Sequence, residues 1–332
     1  MYCTNNKGTI LLALPPDRIP SHGLERIQEA GGGRTIVVSK DNGEIEKNLD
    51  SFEIIIGEAP FSLISRMQNL QWVQLWMAGA DQLQLYPEVK DHPFRLTSTS
   101  GMHGRQLAEH IFALLLAWCR NLKKALSQQE KHEWLQIRAP ELPVLEGKTM
   151  LILGYGTIGE ETGRTAMAFG MKVIGIRRRI PAGPSIGQAV QDTVRVEPSS
   201  KILQLLPEAD VVLNILPFTQ ETKYCIGTKE FAAMKQSAVY INVGRGATTD
   251  ETAMIRALKT GKIAGALLDV AEHEPLPLDS PLWDMKNVII TGHYAGLRED
   301  YDDLALEIAL DNLGRYVRGE PLKSLVDKNA GY

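Results

Sequence analysis

Short apolar runs alternate with stretches of helical spacing through the first hundred residues. The stretches, such as residues 24–30 and 62–68, repeat apolar side chains at three- and four-residue intervals, which is typical of amphipathic helices. Uninterrupted apolar runs of four to six residues are instead typical of strands buried on both faces. Strands that alternate with helices form βαβ units, so the pattern predicts a parallel sheet. The predicted strands cover residues 9–14, 35–38, 53–57 and 71–75.

A second alternating series begins at Lys148. A long helix, residues 104–126, separates the two series, and a final helix at 299–318 has the length to pack back on the first domain. The sequence therefore predicts an α/β protein with two parallel-sheet domains, in keeping with its length of 332 residues. The second series has predicted strands at 149–153, 172–176, 211–216, 239–243, 263–269 and 288–291, and helices at 158–168, 199–206 and 250–259.

Composition narrows the class of protein. Hydrophobic residues make up 44% and charged residues 23%, as in an ordinary globular protein, and a net charge of -4 offers no general attraction to nucleic acid or an anionic membrane. Three scattered cysteines are too few for a disulfide framework, and no Cys or His cluster has metal-ligand spacing. The apolar stretch at 10–14 is too short for the core of a signal peptide, and the one at 111–119 is too short to span a membrane. We therefore expect a cytoplasmic protein without a metal, a nucleic-acid partner or a membrane partner.

A glycine-rich turn follows the first strand of the second series and opens a helix. In a dinucleotide-binding βαβ unit the first glycine permits the tight turn, the second lets pyrophosphate approach the backbone, and the third allows close helix–strand packing. The N–H groups at the helix N-terminus then face the pyrophosphate. We predict that the turn binds a dinucleotide; a glycine turn without a nucleotide is the alternative. Its residues are Gly154, Tyr155, Gly156, Thr157, Ile158 and Gly159.

Three successive arginines, Arg177, Arg178 and Arg179, stand at the end of the next predicted strand. An NAD enzyme usually has Asp or Glu here, about twenty residues beyond the first glycine, to hold the ribose 2′-hydroxyl. Forked cationic donors instead suit the 2′-phosphate of NADP. In a chain of net negative charge the cluster predicts a phosphate site, with a solvated cationic strand end as the alternative. We expect a preference for NADP(H), with NAD(H) as the second candidate.

Three later strands each end in a residue that can carry chemistry. Arg245 lies between glycines after one strand, Glu274 follows the next, and His293 follows the third. Each residue alone is more often a solvated charge or a structural histidine. Because the carboxyl ends of parallel strands meet at one edge of a sheet, where ligands bind, the three together predict a catalytic site.

These motifs, in this order, resemble the D-isomer-specific 2-hydroxyacid dehydrogenases over essentially the whole chain, and among them the NADP-preferring glyoxylate/hydroxypyruvate reductases. The resemblance implies a Rossmann nucleotide-binding domain at 102–296, inserted into a flavodoxin-like substrate domain formed by 1–101 and 297–332. It also implies a homodimer, with the apolar helix from Gly104 as the candidate interface or, alternatively, as interdomain core. The motifs that carry the resemblance are the glycine turn, Leu216-Pro217 with Thr219 and Thr222, residues 242–246, residues 269–277, residues 280–283, and His293 with Gly296.

The resemblance also assigns roles. It implies hydride transfer between a nicotinamide and C2 of a small 2-keto or D-2-hydroxy acid, with His293 as general acid in reduction. Glu274 would pair with His293 and favour its imidazolium form, and Arg245 would hold the substrate carboxylate and polarise the carbonyl. Backbone N–H groups would receive the carboxylate in the loop Met77, Ala78, Gly79 and Ala80. Further cofactor contacts are implied for Leu216, Pro217, Thr222, Val243, Gly244, Asp269, His293 and Gly296.

The sequence departs from the family pattern at three positions. Arg177 replaces the common acidic residue, Gly292 stands where proline usually precedes the histidine, and Ala271 stands where an aromatic residue is frequent. For His103 the sequence leaves two alternatives, a contact with substrate or nicotinamide and a purely structural role. None of these departures removes one of the three catalytic groups.

Two other functions stay open on sequence alone. A phosphite or formate dehydrogenase of the same architecture is one, although formate enzymes usually have Gln at the position of Glu274. A non-catalytic, dinucleotide-sensing corepressor is the other, and it can retain all three catalytic residues. Turnover of a 2-keto acid with NADPH discriminates between these functions and a reductase.

Overall fold

The computed structural model describes residues 8–134, 136–137, 142–178 and 194–331. It divides the chain into two compact units, one of residues 1–102 with 298–332 and one of residues 103–297. Arg179 lies outside the described residues. Each unit contains one sheet whose paired strands all run parallel, which confirms the predicted α/β class.

The first unit has a five-stranded sheet in the order β2-β1-β3-β4-β5, the flavodoxin-like order. Ile10, Ile54 and Trp72 project toward one face of this sheet, where they pack on α1 and on the C-terminal helix. The opposite face forms a separate apolar core. The elements of the N-terminal stretch are β1 (Thr9–Ala13), α1 (Gly23–Ala30), β2 (Ile36–Val38), α2 (Asn42–Glu46), β3 (Phe52–Gly57), α3 (Phe61–Ile64), β4 (Trp72–Leu75), α4 (Gln82–Leu85) and β5 (Arg95–Thr97).

The second unit has a seven-stranded sheet in the order β12-β11-β10-β9-β6-β7-β8. Its strand order reverses beside β6, and in open α/β sheets ligands bind beyond the carboxyl ends of the strands at such a switch point. Its elements are α5 (Gly104–Cys119), α6 (Leu122–Glu130), β6 (Thr149–Leu153), α7 (Thr157–Ala168), β7 (Lys172–Arg177), β8 (Arg195–Pro198), α8 (Ile202–Leu205), β9 (Val211–Asn214), α9 (Thr228–Ala233), β10 (Val239–Asn242), α10 (Glu251–Lys259), β11 (Gly265–Leu268) and β12 (Val288–Ile290); α11 (Tyr301–Arg318) returns the chain to the first unit.

The long helix expected at 104–126 is instead two helices. Asn121, with a φ of 53°, adopts the left-handed conformation and separates α5 from α6. Asparagine tolerates this conformation better than most residues. The apolar side chains of α5, among them Ile111 and Leu115, are buried in the core of the second unit, and α5 packs on α7. The apolar run is thus explained by packing within this unit, and its buried face is not available to a second chain.

Two strands were missed from sequence. β5 is only three residues long, and β8 begins with Arg195 and ends with Pro198, so neither produces an apolar run. Both are the final strand on one side of their sheet. In β8 this position tolerates proline and charge because the outer edge pairs with no further strand of the sheet, whereas the outer edge of β5 pairs with the C-terminal segment through Thr97 and Leu325.

Candidate functional site

The glycine turn connects β6 to α7. Gly154 has a φ of +101°, a conformation that favours glycine, and a Cβ on Gly159 would lie 2.9 Å from the carbonyl oxygen of Gly154. A Cβ on Gly156 would meet no atom within 4 Å, and both Gly156 and Thr157 are exposed. Folding therefore explains two of the glycines, whereas the open space at Gly156 leaves room for a ligand against the N-terminus of α7.

Tyr155 has a structural side chain. It is 5% exposed and covers Gly175, where a Cβ would lie 2.4 Å from the tyrosine Cγ. Its backbone N–H donates to the Ile176 carbonyl at 2.7 Å. Tyr155 thus fixes the turn against β7 with both its side chain and its backbone.

The two described arginines at the end of β7 have different surroundings. Arg177 is half-buried; its guanidinium donates to the Tyr155 carbonyl and to the Glu160 carboxylate, and it lies 5.8 Å from the centroid of the Tyr155 ring. Arg178 is exposed and its Nη2 lies 3.4 Å from Glu221 Oε1. The carboxylate of α7 therefore already pairs with Arg177, while Arg178 faces solvent with a longer ion pair.

Arg245 follows β10 in a turn that backbone contacts define. A Cβ on Gly246 would lie 1.8 Å from the Ala271 carbonyl oxygen, and one on Gly244 would lie 2.8 Å from the Leu216 carbonyl oxygen. The two glycines that flank Arg245 therefore let its turn contact the neighbouring loops through backbone atoms alone.

Buried polar side chains support this turn from below. Asn242 accepts the Gly244 N–H at 3.0 Å and donates to the Arg245 carbonyl at 3.2 Å, and Thr248 Oγ1 donates to that carbonyl at 2.6 Å. Asn214, at the end of β9, donates to Thr248 Oγ1 at 2.8 Å. Asparagine as the last residue of two otherwise apolar strands was the sequence signal for this network, and it was missed.

Glu274 and His293 form a hydrogen-bonded pair. His293 Nδ1 lies 2.6 Å from Glu274 Oε2, and the second carboxylate oxygen accepts the Ala271 N–H at 3.1 Å. The side chains are 46% and 37% exposed. The carboxylate thus fixes the imidazole through Nδ1 and leaves Nε2 as the ring nitrogen that can act on a substrate.

Asp269 anchors the loop that carries His293. The His293 N–H donates to the Asp269 carbonyl at 2.8 Å, and the next two N–H groups, of Tyr294 and Ala295, donate to the Asp269 carboxylate at 3.2 and 3.0 Å. Thr291 Oγ1 lies 2.6 Å from the same carboxylate. Since protein donors already use the buried Asp269 carboxylate, its contact with a cofactor stays a prediction.

A cavity of about 600 Å³ adjoins the pair. Glu274 and His293 lie on its wall, and most of the remaining wall is apolar, with Leu276, Leu282 and Trp283 among its residues. The carboxyl edge of the sheet therefore combines a carboxylate–imidazole pair with an apolar surface.

The other residues assigned from sequence lie at loop positions of the two units. Thr222 Oγ1 donates to the Pro217 carbonyl at 2.7 Å, so the hydroxyl ties its own loop, and Val243 is buried in the core. Gly296 accepts a hydrogen bond from Gln106 at 3.2 Å. In the first unit, Met77, Ala78, Gly79 and Ala80 follow β4 at the carboxyl edge of its sheet, and Met77 is 42% exposed.

The part of the chain that the structure describes contains neither a metal site nor a membrane-spanning helix. Within the described ranges no group of three or more His, Cys, Asp or Glu residues is placed to hold a metal ion. None of the helices in those ranges has the length and apolar character needed to cross a membrane.

Comparison with known proteins identifies the fold and the family. Residues 112–295 match the model of the D-isomer specific 2-hydroxyacid dehydrogenase NAD-binding domain. A glyoxylate reductase of Thermococcus litoralis is 32% identical over 314 residues, which cover 92% of this chain and 86% of the relative. A D-3-phosphoglycerate dehydrogenase of Methanocaldococcus jannaschii is 36% identical over 67% of this chain, but this match spans only 41% of that longer relative.

A solved structure extends the likeness to both units. The NADPH-dependent glyoxylate/hydroxypyruvate reductase of Sinorhizobium meliloti, in complex with NADP and sulfate, superposes with a TM-score of 0.81 at 27% identity. The superposition covers 98% of this chain and all of the other. Together with the glycine turn and the three strand ends, these matches show that the chain belongs to the D-isomer-specific 2-hydroxyacid dehydrogenase family, the oxidoreductases that act on the CH–OH group of D-2-hydroxy acids.

Proposed function

We propose that the protein reduces a small 2-keto acid to a D-2-hydroxy acid with NADPH. The hydrogen bond of 2.6 Å between His293 Nδ1 and Glu274 Oε2 carries this proposal, because it gives the family's acid–base chemistry a formed pair at the carboxyl edge of a nucleotide-binding sheet. The names of the glyoxylate and hydroxypyruvate reductases among its relatives and structural neighbours support a two- or three-carbon keto acid as substrate.

His293 supplies the proton in the proposed reaction. Nδ1 is held by Glu274, so the proton on Nε2 passes to the keto oxygen as C2 accepts a hydride, and the product is the neutral hydroxyl. The Glu274 carboxylate accepts at Nδ1 and so holds the ring in one orientation, with Nε2 as the nitrogen that gives this proton. In the oxidative direction the neutral ring takes the proton back.

Arg245 binds the substrate in this scheme. Its guanidinium is a permanent forked cation, which suits a carboxylate and stabilises negative charge that develops on the carbonyl oxygen. The buried network of Asn242 and Thr248 fixes its backbone. The backbone N–H groups of Met77, Ala78, Gly79 and Ala80 stay our proposal for further carboxylate binding.

The glycine turn fits a dinucleotide, which would supply the hydride. Gly156 borders open space, and the first N–H groups of α7 begin at Thr157, so pyrophosphate can lie against the helix N-terminus. At the end of β7, Arg178 and Arg177 are proposed to favour the 2′-phosphate of NADP. Arg179 belongs to this proposal by sequence alone.

We expect Gly156→Ala to separate cofactor binding from folding. The added methyl group meets no protein atom within 4 Å, so Tm should stay within about 1 °C of wild type, whereas it occupies the space proposed for pyrophosphate. The Kd for NADPH, measured by fluorescence, should rise at least about tenfold. Gly159→Ala is the contrasting variant: its methyl group meets the Gly154 carbonyl at 2.9 Å, so Tm should fall as well. Unchanged NADPH affinity in Gly156→Ala would exclude this turn as the pyrophosphate site.

Cofactor preference should depend on Arg178 more than on Arg177, because Glu160 already pairs with Arg177. We expect Arg178→Ala to raise the KM for NADPH about tenfold, the typical effect of one lost charge-assisted hydrogen bond, and to change the KM for NADH less than twofold. Arg195→Ala is a matched control, since Arg195 is an exposed arginine on β8 paired with Glu197 and Glu208. An equal rise in the KM of both cofactors would contradict 2′-phosphate recognition.

A substrate panel tests the proposed function. NADPH oxidation is followed with glyoxylate, hydroxypyruvate, pyruvate and phenylpyruvate, and repeated with NADH. We expect the highest kcat/KM with glyoxylate or hydroxypyruvate. Tight NADPH binding without turnover of any of these acids would favour a sensor in place of an enzyme. A homodimer, which the family resemblance implies, is part of the proposal and is checked by light scattering.

A further inference from the structure

His110 lies beside residues 291–295, the loop that carries His293. It is the seventh residue of the apolar helix α5, and its side chain is 14% exposed. Its Nε2 lies 3.0 Å from Thr291 Oγ1 and 3.5 Å from Asp269 Oδ1, and its ring contacts the Tyr294 ring edge-on at 5.3 Å between centroids. His110 thus contacts residues on both sides of His293.

The hydrogen bonds around Thr291 have one consistent direction. Its hydroxyl lies 2.6 Å from the Asp269 carboxylate, which accepts, so the single hydroxyl proton points to Asp269. The hydroxyl oxygen must then accept from His110, and Nε2 of His110 carries a proton. Burial lowers the pKa of His110, against the raising effect of Asp269, and so favours the neutral ring.

This chain of bonds ends at the catalytic loop. His110 donates to Thr291, Thr291 donates to Asp269, and Asp269 accepts the N–H groups of His293 through its carbonyl and of Tyr294 and Ala295 through its carboxylate. His293 itself adopts a left-handed conformation with a φ of 55°, which costs free energy in a residue with a Cβ and persists only where surrounding contacts hold it.

We propose that His110 is a positioning residue for the reaction: through Thr291 and Asp269 it holds the loop that presents Nε2 of His293. The inference rests on the proposed function of His293. The polar contacts of His110 lead to Thr291 and Asp269, so its effect on catalysis passes through the loop.

Two substitutions of His110 distinguish the contribution of its aromatic ring from that of its N–H donor. His110→Phe keeps an aromatic ring against Tyr294 but cannot donate to Thr291, whereas His110→Gln keeps an N–H donor and loses the ring. We expect His110→Phe to lower kcat about tenfold, as a misplacement of part of an ångström does, with the KM for NADPH within twofold of wild type. His110→Gln should restore kcat to within threefold of wild type. Glu109→Gln, at an adjacent exposed residue paired with Arg105, is the control and should leave kcat unchanged.

Thr291→Val removes the hydroxyl that joins His110 to Asp269 and leaves the His110 side chain itself unchanged. It should reproduce the kcat loss of His110→Phe, and the double variant should lose no more than about twofold beyond either single variant, because both interrupt one chain. Multiplied losses in the double variant, or a kcat of His110→Phe within twofold of wild type, would overturn the proposal. If His110→Phe does not fold, His110→Gln and Thr291→Val decide: equal kcat in wild type and Thr291→Val would overturn it.

Amide hydrogen exchange separates this inference from the proposed function. At Tyr294 and Ala295, in the loop that carries His293, amide exchange should be about tenfold faster in Thr291→Val and in His110→Phe than in wild type, and unchanged in Glu109→Gln. An inactive wild-type protein would overturn the proposed function alone, and the exchange rates would then decide whether His110 and Thr291 hold the loop. Unchanged exchange in Thr291→Val would overturn the positioning role.

Discussion

A His293→Asn enzyme is expected to bind NADPH with an unchanged Kd and to lose at least about 10³-fold in kcat, since a positioned general acid contributes 10²–10⁴-fold. Asparagine cannot supply the proton from the place of Nε2, whereas the glycine turn and Arg245 are untouched. The pair with Glu274 is about half-exposed, and an exposed pair contributes at most about 1 kcal/mol to stability. Tm should therefore stay close to wild type while activity is lost.

Two further variants show whether the loss belongs to acid–base chemistry. Glu274→Gln retains an oxygen that can accept from Nδ1 but removes the charge, so kcat should fall by less, about 10- to 100-fold. His273→Asn, at an exposed histidine next to Glu274, should leave kcat unchanged. Steady-state kinetics of 2-keto acid reduction, with NADPH fluorescence for Kd, provides the measurements. A His293→Asn kcat within tenfold of wild type would exclude His293 as the proton donor.

Apolar patterning predicted the strands of both sheets well because parallel strands here are buried on both faces. β6 was predicted at its observed bounds, and the other predicted strands differ by one or two residues at their ends. The misses have separate causes. β5 has only three residues and begins with the exposed Arg95, the residues of β8 are exposed or half-buried, and the left-handed Asn121 between α5 and α6 does not interrupt the apolar pattern. The apolar pattern predicts which side chains are buried. It does not predict where a helix or strand ends when the backbone conformation of one residue sets that end.

The site shows the same limit. Arg245, Glu274 and His293 could be singled out as candidates from sequence because their side chains differ from the apolar strands that precede them. The contacts that hold them are made by backbone atoms or by small polar groups, such as the Ala271 carbonyl beside Gly246 and the carboxylate of Asp269 beneath His293. A pattern of residue types gives the chemistry of a site, whereas the distances that make it work need the structure.

Gly246→Ala should be the most disruptive small substitution near the site. Its Cβ would lie 1.8 Å from the Ala271 carbonyl oxygen and 2.6 Å from the Glu272 nitrogen, and backbone atoms of two packed loops cannot yield as a flexible side chain can. Overpacking of this kind costs about 3 kcal/mol or more, so Tm should fall by about 5 °C or more. Because either the Arg245 turn or the loop of Glu274 must move, kcat/KM should also fall about 100-fold.

The matched control is Gly292→Ala, at another glycine on the carboxyl edge of the same sheet. A Cβ there meets no atom within 4 Å, and its φ lies outside the left-handed region, so Tm should stay within about 1 °C of wild type. Thermal unfolding followed by circular dichroism compares the two variants directly. Equal Tm values in Gly246→Ala and Gly292→Ala would mean that Gly246 and the Ala271 carbonyl are not packed as closely as the 1.8 Å from an added Cβ implies. A lower Tm with full activity would show that Arg245 and Glu274 can separate without loss of function, and a joint loss would show that the backbone contact between their loops sets the catalytic geometry.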